Sequence, residues 1–203
     1  ISDVTINNTA STGVAVSSIT GPLGTLDITD IEVTNLTGSQ AINIQPGDNG
    51  ITDTTISAVT STSNDANGIL VDQLDPNSDT VTISDVEIDH SGNNNGIGIG
   101  TNVVVDIATS VDISNATINN TNIGVNLAGF TGSSPDVQVT EIEVTNASTS
   151  GVEIASDTPN NVNVTDSTFA DNTDGVQVDS AISGTLIINI TRNTFSGHSA
   201  EAV

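Results

Sequence analysis

Short runs of alternating apolar and polar residues cover this chain, and one motif of about six residues recurs eight times along it. The motif reads Ile or Val, Ser or Thr, an acid or Asn, a variable residue, Thr or Glu, and an apolar residue. Its copies begin at residues 1, 28, 51, 83, 113, 139, 164 and 190. Alternation with a period of two, in short pieces separated by Asn, Asp, Gly and Ser, predicts β-strands joined by turns.

A second pattern, Gly or Ala followed by apolar-x-apolar, lies 11 to 17 residues after the start of each motif. Its copies begin at residues 13, 41, 68, 96, 124, 151 and 175, and an eighth stops at Ala202 and Val203. A third short alternation often leads into the next motif, as at residues 26–28 and 162–164. Repeats of this length, each with three short strands, predict an all-β parallel β-helix, a solenoid of about eight coils that stack about 4.8 Å apart.

A longer period overlies the motif. Glu32, Glu87 and Glu143 occupy the fifth position of the second, fourth and sixth copies, where the other copies have Thr. This alternation indicates duplication of a two-coil module of about 55 residues. Duplication lengthens a solenoid, which a stalk needs and a single active site does not.

The repeat resembles the right-handed, single-stranded parallel β-helix of pectate lyases, polygalacturonases, phage tailspikes, autotransporter passengers and large secreted adhesins. The resemblance covers essentially the whole chain, residues 1–203, as one β-helix segment. Both ends fall inside a coil, so we expect further coils, another domain or another copy to cover these open sheet edges. The resemblance implies the fold alone, because this solenoid carries both enzymes and inert stalks.

The charge of the chain restricts its partners. It has 25 acidic residues, one arginine and no lysine, for a formal net charge of -24. Such a surface repels phosphate backbones and anionic headgroups, so we expect neither nucleic-acid binding nor membrane insertion. Cations, neutral glycans and other proteins are the expected partners.

The third motif position forms a predicted column of acids. Six carboxylates in it are candidate metal ligands: Asp3, Asp30, Asp53, Asp85, Glu141 and Asp166. Carboxylates stacked at this spacing repel by about 1 to 4 kcal/mol per neighbouring pair. Three interpretations are open. Each acid caps its own turn by accepting backbone N–H hydrogen bonds while solvent screens the remaining charge, or calcium bridges the column. The third, an adaptation to high salt, is compatible with either. No EF-hand loop or Gly-Gly-x-Gly-x-Asp repeat accompanies the acids.

Catalytic motifs of the family are largely missing. Pectate-lyase-like enzymes use an Arg or Lys base, and Arg192, above Asp166 in the acidic column, is the only such residue. Of the four polygalacturonase-like motifs, only Asn-Thr-Asp occurs, at residues 172–174. We therefore predict no enzyme, and expect Arg192 to pair with Asp166.

The remaining candidates are aromatic rings and histidines. Phe169 and Phe195 occupy an apolar motif position and are predicted to lie in the core. For Phe130, which lies in a predicted loop, both a core role and a contact role stay open. His90 and His198 are predicted to be solvent-facing turn residues.

Seven Asn-x-Ser/Thr sequons add candidate glycosylation sites. Four fall at the seventh or eighth motif position, where they would follow one edge: Asn7, Asn35, Asn119 and Asn146. The other three are Asn115, Asn163 and Asn189. The abundance of Asn and Thr is the other explanation for these sequons, so modification stays one of two interpretations.

These observations together predict an extracellular or cell-surface structural β-helix: a stalk, an adhesin passenger or a self-stacking fibre subunit. It would need no cofactor, with calcium as an optional ligand. Its partners would be flanking coils or further copies end to end, and host or matrix glycans or proteins. The alternative is a polysaccharide lyase or glycoside hydrolase of the β-helix class.

Overall fold

A computed structural model describes residues 1–17, 24–45, 51–63, 66–72, 74, 78–91, 94–100, 107–130, 136–155, 161–179 and 186–203. All regular elements of these residues are β-strands. They are β1 Ser2–Asn7, β2 Val14–Ser17, β3 Gly24–Leu36, β4 Gln40–Gln45, β5 Ile51–Ser63, β6 Asn67–Val71, β7 Ser78–His90, β8 Ile97–Ile99, β9 Ile107–Asn119, β10 Ile123–Leu127, β11 Asp136–Thr140, β12 Glu143–Thr145, β13 Ser150–Ile154, β14 Asn161–Thr165, β15 Thr168–Ala170, β16 Asp174–Val178, β17 Ile187–Thr191 and β18 Thr194–Ser196. This part of the chain contains no helix with the length and apolarity that a membrane crossing needs.

The strands form two parallel sheets that wind around a common core. The first has the order β1-β3-β5-β7-β9-β11-β14-β17, with β12, β15 and β18 continuing its later coils, and the second has the order β16-β13-β10-β8-β6-β4-β2. Neighbours in each sheet come from successive coils, which is the arrangement of a parallel β-helix. The predicted fold class is confirmed. The number of complete turns is lower than the eight predicted, because the second sheet has seven strands and the end coils are partial.

A left-handed residue bends the first sheet once per coil. The residues at the third motif position all have φ between 48° and 58°: Asp3, Asp30, Ala58, Asp85, Asn115, Glu141, Asp166 and Arg192. We call this set the bend column. Asp and Asn are several-fold enriched among non-glycine residues in this conformation. The bend therefore accounts for the recurring Asp and Asn without a ligand.

The third motif copy starts at Ile56, five residues later than the sequence interpretation placed it. Ile56 lies opposite Ile28 on one side and Ile83 on the other. Ala58, with a positive φ, thereby takes the place in the bend column that was assigned to Asp53. The predicted position of Asp53 is wrong, because only the later register keeps apolar residues stacked on apolar residues inside the helix.

The core consists of apolar columns that run along the helix axis. Ile28, Ile56, Ile83 and Ile113 form one such column, and each is fully buried. Burying an aliphatic side chain of this size contributes about 1.5 to 3 kcal/mol before conformational entropy is subtracted. Stability is therefore distributed over the stack of coils.

The three phenylalanines all belong to this core. Phe169 is fully buried, and Phe195 in the last coil is partly buried and packs against it with ring centroids 5.3 Å apart. The core prediction for both is confirmed. Phe130 is only 3 % exposed and also joins the core cluster, so of the two roles left open for it the core role is the one observed.

Candidate functional site: the bend column and the adjacent polar ladders

Three neutral or basic residues interrupt the acids of the bend column. Ala58 stands between Asp30 and Asp85. Asn115 Nδ2 donates a hydrogen bond of 2.5 Å to Asp85 Oδ1. Arg192 lies in the last described coil, next to Asp166. The predicted repulsion is thus reduced by the sequence itself, and Asp3–Asp30 and Glu141–Asp166 are the acidic neighbours that remain in the column.

Arg192 forms the predicted pair with Asp166. Its Nε and Nη2 donate hydrogen bonds of 2.6 and 2.5 Å to the two carboxylate oxygens. The hydrogen bonds from Arg192 lower the pKa of Asp166, and those bonds likewise raise the pKa of Arg192. A guanidinium held protonated in this way is poorly suited to act as a catalytic base. Both side chains are exposed, so the pair adds little stability in water.

The candidate metal ligands do not form a ligand set. Among the described residues, no three acidic or histidine side chains are arranged to hold a metal ion. The candidates from the sequence are the six carboxylates Asp3, Asp30, Asp53, Asp85, Glu141 and Asp166. Asp53 lies outside the bend column and accepts a 2.7 Å hydrogen bond from Thr80 Oγ1. Turn formation accounts for the acids of the column, and calcium bridging stays a prediction.

Two shallow grooves follow the bend column, and each has a volume of about 430 Å³. They meet at Ala58, whose small side chain leaves space between the acids of the neighbouring coils. Glu32 lines the first groove and Glu87 the second, while Thr60 lies between them in the stack. Placing glutamates on alternate coils separates them by about 10 Å along the axis. The predicted two-coil period therefore spaces like charges on this face.

The Asn-Thr-Asp fragment supports the backbone. Asn172 is 1 % exposed, its Nδ2 donates to the Val144 carbonyl at 3.1 Å, and its Oδ1 accepts from the Ala147 amide at 2.7 Å. Asn193, at the fourth motif position of the last coil, makes bonds of the same kind: its Oδ1 accepts from the Ser167 amide and its Nδ2 donates to the Val164 carbonyl. The match to the polygalacturonase-like motif is therefore a buried structural asparagine.

The sequon asparagines form amide ladders between coils. Asn35 Nδ2 donates to Asn7 Oδ1 at 3.0 Å, and Asn146 Nδ2 donates to Asn119 Oδ1 at 2.9 Å. Asn189 pairs with Asn163 in the same way at 2.7 Å. Asn35 and Asn146 also have positive φ, at a second bend of the coil. Cross-coil hydrogen bonding therefore gives these asparagines a structural role, and their glycosylation stays a prediction.

His90 is fully buried, so its prediction as a solvent-facing residue is wrong. Its Nε2 lies 2.9 Å from Ser61 Oγ, and its Nδ1 lies 2.6 Å from the Ala66 carbonyl oxygen. Because a carbonyl only accepts, Nδ1 carries a hydrogen. Burial lowers the pKa of His90, against smaller raising effects from that carbonyl and from Asp89. His198 is partly buried, with Nδ1 3.3 Å from the Asn172 carbonyl, and does not face solvent freely either.

His90 should make stability depend on pH. Its folded-state pKa lies below the ordinary value of 6.5, so between these values the unfolded chain binds one more proton than the folded chain. Stability from this group is therefore present above about pH 6.5 and is lost as the pH falls through the window. In urea titrations, the parent should therefore lose more unfolding free energy than His90→Gln as the pH falls below about 6.5. A difference that does not change with pH would contradict the buried, neutral imidazole.

No family model, curated protein or solved structure matches this chain. The support for the resemblance to β-helix proteins is the observed fold, with its two parallel sheets of strands from successive coils. It provides no assignment to adhesins, passengers or pectate-lyase-like enzymes.

Proposed function

We propose that this chain is a segment of an extracellular or surface-displayed structural β-helix, acting as a stalk, an adhesin passenger or a fibre subunit. The observation that carries the proposal is that side chains of types able to act in catalysis form hydrogen bonds that hold one coil to the next. Arg192 binds Asp166, Asn172 binds two backbone groups, and His90 joins a buried network.

The distribution of acids supports the same role. Ala58 and Asn115 interrupt the acids of the bend column, and the glutamates of the adjacent column alternate with threonines. This spacing reduces repulsion along the stack while keeping the surface strongly anionic. A high net charge of one sign favours solubility, which suits a protein that projects into solvent.

The enzyme alternative needs a residue that is free to act. A lyase mechanism would assign proton abstraction to Arg192, whose pKa is raised by the hydrogen bonds to Asp166. A hydrolase would need a pair of carboxylates with distinct environments across a sugar site. Because the one guanidinium of the chain is engaged with Asp166, the structural role is the better supported of the two.

Immunogold electron microscopy on intact cells of the source organism tests this proposal. An antibody raised against the 203-residue chain should label projections or fibres outside unpermeabilised cells. Permeabilised cells provide the control for total antigen. Label that appears only after permeabilisation would overturn the proposed extracellular structural role.

A further inference from the structure

The second bend of the coil is one residue longer in some coils than in others. In the longer coils an extra left-handed residue lies at this bend, and the register between β3 and β5 shifts there for this reason. The left-handed residues are Asn8, Asn35, Asn120, Asn146, Asp171 and Gly197. Neither β5 nor β7 has such a residue at this bend, and each strand continues straight on, to Ser63 and His90.

The shorter bends of the third and fourth coils leave a recess on the surface, with Asn35 at one end and Asn120 at the other. We call this recess, which lies in the second to fifth coils, the polar slot. It has a volume of about 300 Å³ and is lined by Asn35, Thr62, Ser63, Asp89, Ser91 and Asn120. From Asn35 to Asn120 it extends over three coil spacings, about 14 Å along the axis. An elongated site of this kind suits an extended ligand.

Hydrogen bonds fix the walls of the polar slot. Asn120 Nδ2 donates to Asp89 Oδ1 at 2.8 Å, and Asn35 donates in the same way to the preceding coil at 3.0 Å. Ser63 is only 6 % exposed, and its hydroxyl donates to the Leu36 carbonyl at 2.7 Å. These groups are therefore positioned before a ligand arrives, which reduces the ordering cost of binding.

The polar slot presents several hydrogen-bond acceptors and one carboxylate. Asp89 keeps its Oδ2 as an acceptor, and Asn35 and Asn120 use their Nδ2 atoms and keep their Oδ1 atoms. Asn120 Nδ2 carries a second hydrogen, and the Thr62 hydroxyl can donate and accept. An acceptor on Asp89 and a donor on Asn120 therefore lie side by side. This arrangement matches two neighbouring hydroxyls of a sugar ring, one donating and one accepting.

The charge of the polar slot argues against ionic ligands. Phosphate, sulfate and uronic acids would be repelled by Asp89 and by the net charge of -24. A basic peptide would meet more carboxylates in the two grooves of the bend column, where Asp30 and Glu32 line one and Asp85 and Glu87 the other. A neutral chain of hydroxyl-bearing rings is the ligand class that remains.

We propose that the polar slot binds a segment of a neutral oligosaccharide. Asp89 and Asn120 hold one ring through adjacent hydroxyls, and Asn35 contacts the chain at the other end. The six lining residues include no aromatic ring, and their hydrogen bonds replace hydrogen bonds to water, so the expected Kd is about 1 mM. This proposal rests on the surface role proposed above and names its partner.

NMR titration of the ¹⁵N-labelled chain tests the site with neutral tetrasaccharides of glucose, mannose, galactose and N-acetylglucosamine. At least one of them should shift the backbone amide signals of residues 62, 89, 91 and 120 in a saturable manner, and tetragalacturonate should not. Failure of all four neutral sugars well above the millimolar range would overturn the proposal. Tetralysine that shifted the same signals at lower concentration than any sugar would also overturn it, because the slot would then be a cation site.

Asn120→Gly removes the amide from the polar slot, and glycine accepts the left-handed backbone without strain. It should weaken binding of the responding sugar about tenfold. Asp89→Asn should weaken it to a similar extent, because an amide oxygen is a weaker acceptor than a carboxylate.

Asn146→Gly is the matched control, since Asn146 occupies the same bend one coil later and lies outside the polar slot. It should bind the sugar like the parent, and circular dichroism should confirm that all variants are folded. Equal affinities of Asn120→Gly and Asn146→Gly would overturn the site. Sugar binding by the purified chain and immunogold labelling of cells are separate measurements, so failure of this site is distinguishable from failure of the surface role.

Discussion

Phe169→Ala is expected to lower the free energy of unfolding by about 3 to 5 kcal/mol. Phe169 is fully buried in the core and stacks on Phe195 of the next coil. Truncation removes apolar contact area and leaves a cavity, because the neighbouring coils are fixed by their inter-strand hydrogen bonds and cannot collapse into it. Urea denaturation at neutral pH measures the loss.

Phe195→Ala is the matched control for this change. It removes the same side chain from the same column, one coil later, where the ring is already partly exposed. Its cost should be clearly smaller than that of Phe169→Ala. Equal costs for the two variants would contradict the position of Phe169 inside a continuous core and of Phe195 at its end.

Gly124→Val is expected to cost about 3 kcal/mol, at the upper end of the range for overpacked cores. A Cβ at Gly124 would lie 2.5 Å from Val144 Cγ1 and would also collide with the carbonyl oxygen of Gly151. That carbonyl belongs to the backbone of the next coil, so it cannot move aside without breaking the ladder. Thermal and urea denaturation should both show the loss.

Asn126→Val introduces the same side chain two residues later on the same strand, β10. Asn126 is half-buried, and its Oδ1 has no hydrogen-bond partner among the described residues. Replacing it removes an unsatisfied carbonyl, so we expect a neutral or stabilising effect. If Asn126→Val were as destabilising as Gly124→Val, the close approach at Gly124 would not be the cause.

The fold could be predicted from the sequence because every repeat carries the same alternation of apolar and polar residues. Seven of eight motif copies were placed correctly, since the same apolar positions recur in each. The third copy was misplaced because "ITDTTIS" at 51 matches the motif better than "ISAVTST" at 56. Even spacing was the available signal: a start at 56 gives steps of 27, 28 and 27 residues, where a start at 51 gives 27, 23 and 32.

The site residues were harder to predict, because their surroundings come from other coils. His90 lies two residues after Ile88, and the two-residue alternation of a strand puts both side chains on the inner face. Residue type suggested the surface instead, and its partners Ser61 and Ala66 are visible only in three dimensions. The pairing of Arg192 with Asp166 was predictable, since both belong to correctly placed motif copies.

The positive φ of the bend column explains why acids recur at one motif position. Asp and Asn tolerate the left-handed conformation, and their recurrence at one position follows from the bend. Ala58, Glu141 and Arg192 adopt the same conformation, so the coil geometry imposes it on whatever residue is there. Sequence shows the recurrence of acids, and only backbone geometry separates a turn from a metal site.

Cysteine pairs test the stacked register most directly, because the natural chain has no cysteine. Thr60 lies opposite Glu87, and Thr55 lies opposite Thr82. Facing residues on adjacent strands meet the distance that a disulfide requires, whereas a shift of five residues separates them by about 16 Å. Under mild oxidation, Thr60→Cys with Glu87→Cys should form an intrachain disulfide, measured by intact mass after alkylation of free thiols. Thr55→Cys with Glu87→Cys should stay reduced, and the reverse outcome would contradict the register on which this account depends.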